Sequence, residues 1–345
     1  MLALRLHPDR RLRLHDEPVP EPGPGEARLR VTAVGLCGSD RHWMVDGGIG
    51  DAVLGSPLVL GHEFAAVVET GRLAGRRVAV DPADACGSCE LCRRNQSNLC
   101  QSIRFAGHGA VDGALRERMA WPEDCLYPVS DHVGDAEAAL IEPLAVAVHA
   151  MELGGMPEGA TVAIVGCGPI GLLLVALARR AGASAVIATD LLPHRLDMAA
   201  TFGATAVVDG SSDGDGSGSI LDAAGGRSCE LVFEVAGEAS AVETAVGAAA
   251  PGARVILVGI PSDDRTTFKA SVARRKGLTL KLVRRSTPDA FRRAVGLAES
   301  GELGLVRLVS DRVSLQDAPA AVDRFVTRAG IKVIVEPEAR PSTGG

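Results

Sequence analysis

Aromatic side chains are scarce in this chain, 3% of 345 residues, so one that falls beside a candidate site carries more weight than usual. Positive charge is in deficit as well: 36 Lys and Arg against 43 Asp and Glu leave a net charge of −7, and no basic tract interrupts the pattern. A polyanion needs a basic face, so no nucleic-acid partner is expected. Long apolar runs are missing too. No stretch of about 18 or more apolar residues reads as a membrane span, and the first residues, Met1 to Asp9, lack the continuous apolar segment of a secretory signal. The chain is therefore expected in the cytoplasm and away from membranes. Thiols stay reduced there, which favours metal binding over disulfides for clustered cysteines.

What is present starts with Cys86, Cys89, Cys92 and Cys100. Spacings of three, three and eight let one loop wrap a single ion, and four thiolates suit tetrahedral Zn²⁺ at Zn–S distances of about 2.3 Å. Such a site is closed. It leaves no position for water or substrate, so it predicts a structural zinc and no chemistry. An iron–sulfur cluster also takes four thiolates, but the Cys-Pro and the ferredoxin spacings are missing.

The length fits two domains, and 46% apolar residues can fill both cores. Residues 1–147 are rich in short β-like runs broken by Pro and Gly, such as Ala27 to Val34, Ala65 to Glu69 and Arg77 to Val80. Between 148 and 300 strands alternate with helices, as a parallel sheet requires: Thr161 to Val165, a helix from Ile170 to Ala181, then Ala185 to Ala188, Ala206 to Val208, Leu231 to Val235 and Arg254 to Val258. Gly210 to Ser219 is low-complexity and reads as a loop. Residues 301–345 look β-like again, ending in Ile331 to Val335 and a polar tail, so this segment is expected to rejoin the first domain. The fold class is α/β: a doubly wound Rossmann sheet plus a mostly β domain carrying the zinc lobe at 84–102.

The strand Thr161 to Val165 runs into Gly166, Gly168, Pro169, Ile170 and Gly171. A glycine turn leading into a helix directs backbone N–H groups and the positive helix end at a pyrophosphate. The glycines alone are weak evidence, because they also permit an ordinary tight turn. Asp190, 24 residues after Gly166, ends the next strand and can accept the hydroxyls of an adenosine ribose. Its charge favours NAD over NADP. Arg195 either stacks beside the adenine or is a solvated helix residue.

Two fragments of the β-rich half carry a second metal signal: Cys37, Ser39, Asp40 and His42 in one, His62 and Glu63 in the other. A thiolate and an imidazole are half of a catalytic zinc site, which needs a third ligand and an open position. Glu63 and Glu142 are the candidates. Taken singly, Cys37 and His62 also read as core residues.

Together, Cys37 to Asp40, Gly61-His62-Glu63, the four-cysteine lobe, Glu142-Pro-Leu and the nucleotide turn resemble the zinc-dependent medium-chain alcohol dehydrogenases, over nearly the whole chain and in the same order. The likeness is greatest to the polyol branch, the sorbitol (L-iditol) and threonine dehydrogenases, because Glu142 stands where other alcohol dehydrogenases place a cysteine ligand. The resemblance implies a GroES-like catalytic domain and two zinc ions per chain. It implies a catalytic zinc held by Cys37 and His62 with Glu63 and Glu142 sharing the remaining places, Glu142 ranked slightly ahead. Zinc would acidify a substrate hydroxyl and NAD would take the hydride. Ser39 would be the first proton relay and His42 a carrier outward, although Ser39 also reads as a turn residue and His42 as a surface histidine. Trp43 and Phe105 match pocket positions, with core packing as the alternative for each. Arg284, followed by Arg285 where the sorbitol enzymes carry Tyr, is either a substrate contact or half of a solvated pair.

The expected activity is reversible NAD-dependent oxidation of a secondary alcohol on a polyol, cyclitol, amino-cyclitol or sugar. An L-threonine 3-dehydrogenase-like activity is the alternative, and a non-catalytic zinc protein of the same fold is the alternative of another class. Relatives of this kind associate through edge strands, so a homodimer or homotetramer is expected, with the runs from Arg254 and from Leu278 as edges.

Overall fold

The computed structural model describes residues 1–211 and 216–338. Two compact units emerge, one from Met1–Ala145 with Thr287–Gly345 and the other from Val146–Ser286. The first unit is mostly β. Its central strand Glu26–Gly35 alternates buried Ala27, Leu29, Val31 and Ala33 with half-exposed neighbours, the period-two pattern of a sheet with one face on a core. Around it a seven-stranded sheet runs in the order Leu126–Pro128, Arg77–Val80, Glu63–Val68, Glu26–Gly35, Lys332–Glu336 and Val309–Ser314, with Arg118–Pro122 also paired to the central strand. The central strand thus has Glu63 opposite Gly35 on one side and the last strand on the other, Ile334 opposite Gly35. A core of Leu4, Leu29, Phe64, Val78, Leu115, Met119 and their neighbours fills the unit.

The chain rejoins this unit at Thr287, earlier than the boundary of 301 read from the pattern. The helix Pro288–Ser300 packs against it, the ring of Phe291 lying 4.5 Å from that of Tyr127, and Ser130 Oγ donates to Glu299 Oε1 at 2.8 Å. A helix following strands continues the βα texture, so composition alone does not mark this boundary.

The second unit is a six-stranded parallel sheet in the order Ala206–Asp209, Ala185–Asp190, Thr161–Val165, Cys229–Glu234, Ala249–Leu257 and Thr279–Leu282. Thr161–Val165 is buried throughout, as expected of a strand covered on both faces. The run from Arg254 is not an edge: Arg254 pairs with Leu231 on one side and Thr279 on the other, and Val255 and Ile256 are fully buried. The edge on that side is Thr279–Leu282. Of the low-complexity run, Ser217 to Ser219 open a helix, Ser217–Ala223, while 212–215 and the end of the polar tail, 339–345, lie outside the described residues.

Candidate metal and nucleotide sites

The four-cysteine lobe closes as its spacing requires. Sulfur-to-sulfur distances are 3.5 Å for Cys86–Cys100, 3.9 Å for Cys86–Cys92, 3.4 Å for Cys89–Cys92 and 3.9 Å for Cys89–Cys100. A tetrahedron with about 2.3 Å metal–sulfur bonds has edges of roughly 3.8 Å, whereas a disulfide needs sulfurs about 2.0 Å apart. The donor set therefore fits a zinc ion. A short helix, Glu90–Arg93, brings Cys89 and Cys92 to one side, with the Cys92 N–H on Cys89 Sγ at 3.5 Å.

The second cluster joins distant segments. Donor atoms of Cys37, His62 and Glu63 lie within 4.8 Å of one another, Cys37 at the N-cap of the helix Gly38–Val45 and Glu63 at the start of its strand. Asp40, fully buried on that helix, accepts the Cys37 N–H at 2.9 Å through Oδ2 and turns Oδ1 toward His62 Nδ1 at 3.6 Å. A carboxylate on one ring nitrogen orients a metal-binding histidine and raises the basicity of the other nitrogen. His62 Nε2 faces Ser39 Oγ at 3.3 Å. Burial opposes a positive charge on His62, but Asp40 and Cys37 outweigh it and push its pKa well above the usual value. The anions that favour a proton there favour a dication equally, so thiolate, imidazole and carboxylate fit zinc as a three-ligand site.

Glu63 rather than Glu142 completes this group. Glu142 opens the helix Ile141–Gly154 and is 7% exposed. Burial, against the opposing charge of His62 and with Glu63 adding to it, pushes its carboxyl up to about 8, and the donor atoms that lie together are those of Cys37, His62 and Glu63. Glu63 is accommodated by two features that sequence reading missed. A Cβ on Gly35 would stand 2.3 Å from Glu63 Oε2, so the glycine opposite Glu63 makes room for its carboxylate. Lys332 Nζ, 2% exposed, donates to the same oxygen at 2.6 Å. Burial lowers the lysine pKa, yet Glu63 and Cys37 more than offset it and the net shift is upward.

The remaining candidates divide. The Phe105 ring lies 5.4 Å from the His62 ring. Trp43 is 2% exposed and sits in the apolar core, touching edge-on the ring of His108. His108 in turn meets Phe105, a link that its place in a glycine-rich turn did not signal. His42 Nδ1 bonds Asp46 Oδ2 at 2.7 Å with its side chain 13% exposed. Arg284 is exposed and belongs to the second unit, beside Arg285, whose φ is +56°.

In that unit Gly166 has φ +104°, and a Cβ there would meet the Ala236 nitrogen at 2.8 Å. A Cβ on Gly171 would stand 2.0 Å from the Gly166 carbonyl oxygen, so the first turn of the helix Pro169–Arg180 can lie on the end of Thr161–Val165 only with glycine there. Gly168 is the N-cap and Pro169 the first helical residue; Ile170 follows, half-buried. Asp190 accepts the Cys167 N–H at 2.7 Å and the Leu192 N–H at 3.0 Å, one on each oxygen. Its carboxylate is thus held in place with a second lone pair on each oxygen for ribose hydroxyls. Arg195 Nη1 approaches Asp190 at 3.8 Å with its side chain 13% exposed, which disagrees with a freely solvated residue.

Comparison with known proteins identifies the family. Residues 23–131 match the alcohol dehydrogenase GroES-like domain and residues 169–300 the zinc-binding dehydrogenase domain. Sorbitol dehydrogenase of Bacillus subtilis is 32% identical over 345 residues, covering 98% of this chain and 97% of that protein. L-idonate 5-dehydrogenase from Escherichia coli K-12 superposes with a TM-score of 0.89 at 26% identity, covering 97% of this chain and 98% of that one. An alcohol dehydrogenase from Escherichia coli CFT073 in complex with NADH does so at 0.89 and 26%, covering 98% and 99%. With its two zinc-ligand clusters and its NAD(H) turn, the chain belongs to the zinc-dependent medium-chain polyol dehydrogenase family.

Proposed function

We propose that the protein catalyses reversible NAD-dependent oxidation of a secondary hydroxyl on a polyol, cyclitol, amino-cyclitol or sugar. The relatives named for sorbitol and L-idonate support that substrate class. The observation that carries the reading is the pair of unlike clusters, one closed with four thiolates and one with three mixed donors. In this reading Cys37, His62 and Glu63 hold the catalytic zinc with Glu142 beside them, and Cys86, Cys89, Cys92 and Cys100 hold the structural one.

Zinc held by the three donors supplies Lewis acidity to a substrate hydroxyl, and NAD supplies the hydride acceptor. Ser39 Oγ, next to His62 Nε2, is placed to take the hydroxyl proton. His42 donates its Nδ1 proton to Asp46, which leaves Nε2 as an acceptor for the outward step. Phe105 places an apolar ring beside the His62 ring. Gly168, Ile170 and Gly171 offer backbone N–H groups to the pyrophosphate, while Pro169 opens the helix and Gly166, its own N–H on the Thr189 carbonyl, makes the turn. Asp190 holds the ribose, its fixed charge opposing the extra phosphate of NADP, while Arg195 offsets part of that charge and flanks the adenosine.

The assembly is a homodimer or homotetramer formed through the edge strand Thr279–Leu282, where Leu282 is 75% exposed; light scattering at working concentration would contradict it with a monomer mass. Its compartment is the cytoplasm, a reading supported by eight cysteines of which none is paired in a disulfide. Turnover tests the function: purified enzyme with NAD is offered polyols, inositols and L-threonine. Oxidation of one or more polyols, cyclitols or sugars is expected, and activity on L-threonine alone would overturn the reading.

A further inference from the structure

A lysine with 2% exposure in the strand Lys332–Glu336 has to be accounted for, because taking an ammonium out of water costs several kcal/mol unless its partners are well placed. One of its partners directly precedes a metal donor and the other is a metal donor. Lys332 Nζ donates to the Leu36 carbonyl at 2.9 Å, one residue before Cys37, and to Glu63 Oε2 at 2.6 Å. The backbone repeats the connection, since the Leu36 N–H bonds the Val333 carbonyl at 3.0 Å. We infer that Lys332 is a positioning residue of the metal centre, clamping the Cys37-bearing and Glu63-bearing segments together and occupying one oxygen of Glu63 so that the other faces the metal.

The inference rests on Cys37, His62 and Glu63 being the catalytic ligands. Cys37 and Glu63 come to within 4.8 Å of one another from separate segments, and the bonds of Lys332 to Leu36 and to Glu63 tie those segments together, so the site is assembled in advance. Gly35 completes the arrangement. It lies opposite Glu63 in one ladder and Ile334 in the other, and the space where its Cβ would be is filled by Glu63 Oε2. The carboxylate therefore has one buried oxygen fixed between a glycine and a lysine. The same contact gives the C-terminal return of the chain a function: the last strand brings an ammonium to a ligand 269 positions earlier.

The test uses the full-length holoenzyme with Lys332→Met and Lys332→Arg, read by zinc release to a chromogenic chelator and by the visible spectrum of the Co²⁺-substituted catalytic site. Wild type should release two zinc ions in separate phases. In Lys332→Met the catalytic ion should leave at least about tenfold faster, the scale of lost outer-shell support, with kcat falling more than KM rises. The four-cysteine zinc and NADH affinity should be unchanged. Lys332→Arg should keep both ions but shift the cobalt spectrum, because a guanidinium fork grips a carboxylate differently from an ammonium. If Lys332→Met fails to fold, shown by loss of the four-cysteine zinc and of NADH binding, the arginine variant decides. A wild-type spectrum and release rate in whichever variant folds would overturn the inference. A cobalt spectrum that Cys37→Ser leaves unaltered would instead overturn the ligand assignment on which it rests.

Discussion

Gly171→Ala should abolish tight nucleotide binding while leaving both metal clusters intact. The added methyl would stand 2.0 Å from the Gly166 carbonyl oxygen and 3.0 Å from the carbonyl carbon, about 1.5 Å short of the roughly 3.5 Å at which unbonded heavy atoms rest. That obstacle is backbone, so it cannot rotate aside. The first turn of Pro169–Arg180 must lift from the end of Thr161–Val165, at an overpacking cost of about 1–3 kcal/mol. The turn's N–H groups then move off the pyrophosphate. Hydrogen bonds to charged groups contribute about 1.5–3 kcal/mol each, so losing two of them weakens NADH binding by roughly 3–6 kcal/mol. At about 1.4 kcal/mol per tenfold, that is a rise in Kd of about 100-fold or more. Calorimetric titration with NADH measures the change, and zinc content with circular dichroism confirms folding. A folded, two-zinc Gly171→Ala protein binding NADH within about threefold of wild type would refute the reasoning.

Other perturbations separate the sites. Asp40→Asn should lower the affinity for the catalytic zinc about 10- to 100-fold, because the residue orients His62 and bonds the Cys37 N–H; chelator competition should show one weakened ion and one unchanged. Cys100→Ser, at a buried ligand of the closed cluster, should lose the structural zinc and lower Tm, with NADH affinity retained. Glu234, 1% exposed, has its pKa raised by burial despite accepting the Ala236 and Gly237 N–H groups at 2.8 and 2.7 Å. A raised carboxyl pKa favours the folded state at acid pH and loses that benefit as pH rises through the folded value. Glu234→Gln should therefore raise Tm at pH 8 and give no gain at pH 4, followed by thermal melts; an equal gain at both would contradict the sign.

What was legible in the sequence was local. Cysteine spacing gave the closed cluster because one loop carries all four ligands, and the turn from Gly166 to Gly171 with Asp190 specified the nucleotide site because a strand, a turn and the next strand suffice to form it. The open cluster was legible as fragments, since Cys37 and His62 stand in recognisable short contexts. The choice between Glu63 and Glu142 was not, because it depends on Gly35 and Lys332 from two other strands. Lys332 carries no local signal, because its partner Glu63 is 269 positions away. Asp40 stood in the quoted motif without a role, since only the folded helix turns it to His62. Trp43 drew attention through rarity, and packing placed it in the core.

The central claim is that the three-donor cluster, and not the four-cysteine lobe, is where a secondary alcohol is oxidised. Measuring NADH formation from a panel of polyols by wild type and Cys37→Ser, with zinc counted in both, tests it most directly. Wild type with two zinc ions should turn over one or more of these substrates, and Cys37→Ser with one zinc should turn over none. Equal rates in the two proteins, or no turnover of any secondary alcohol by the two-zinc enzyme, would contradict the account.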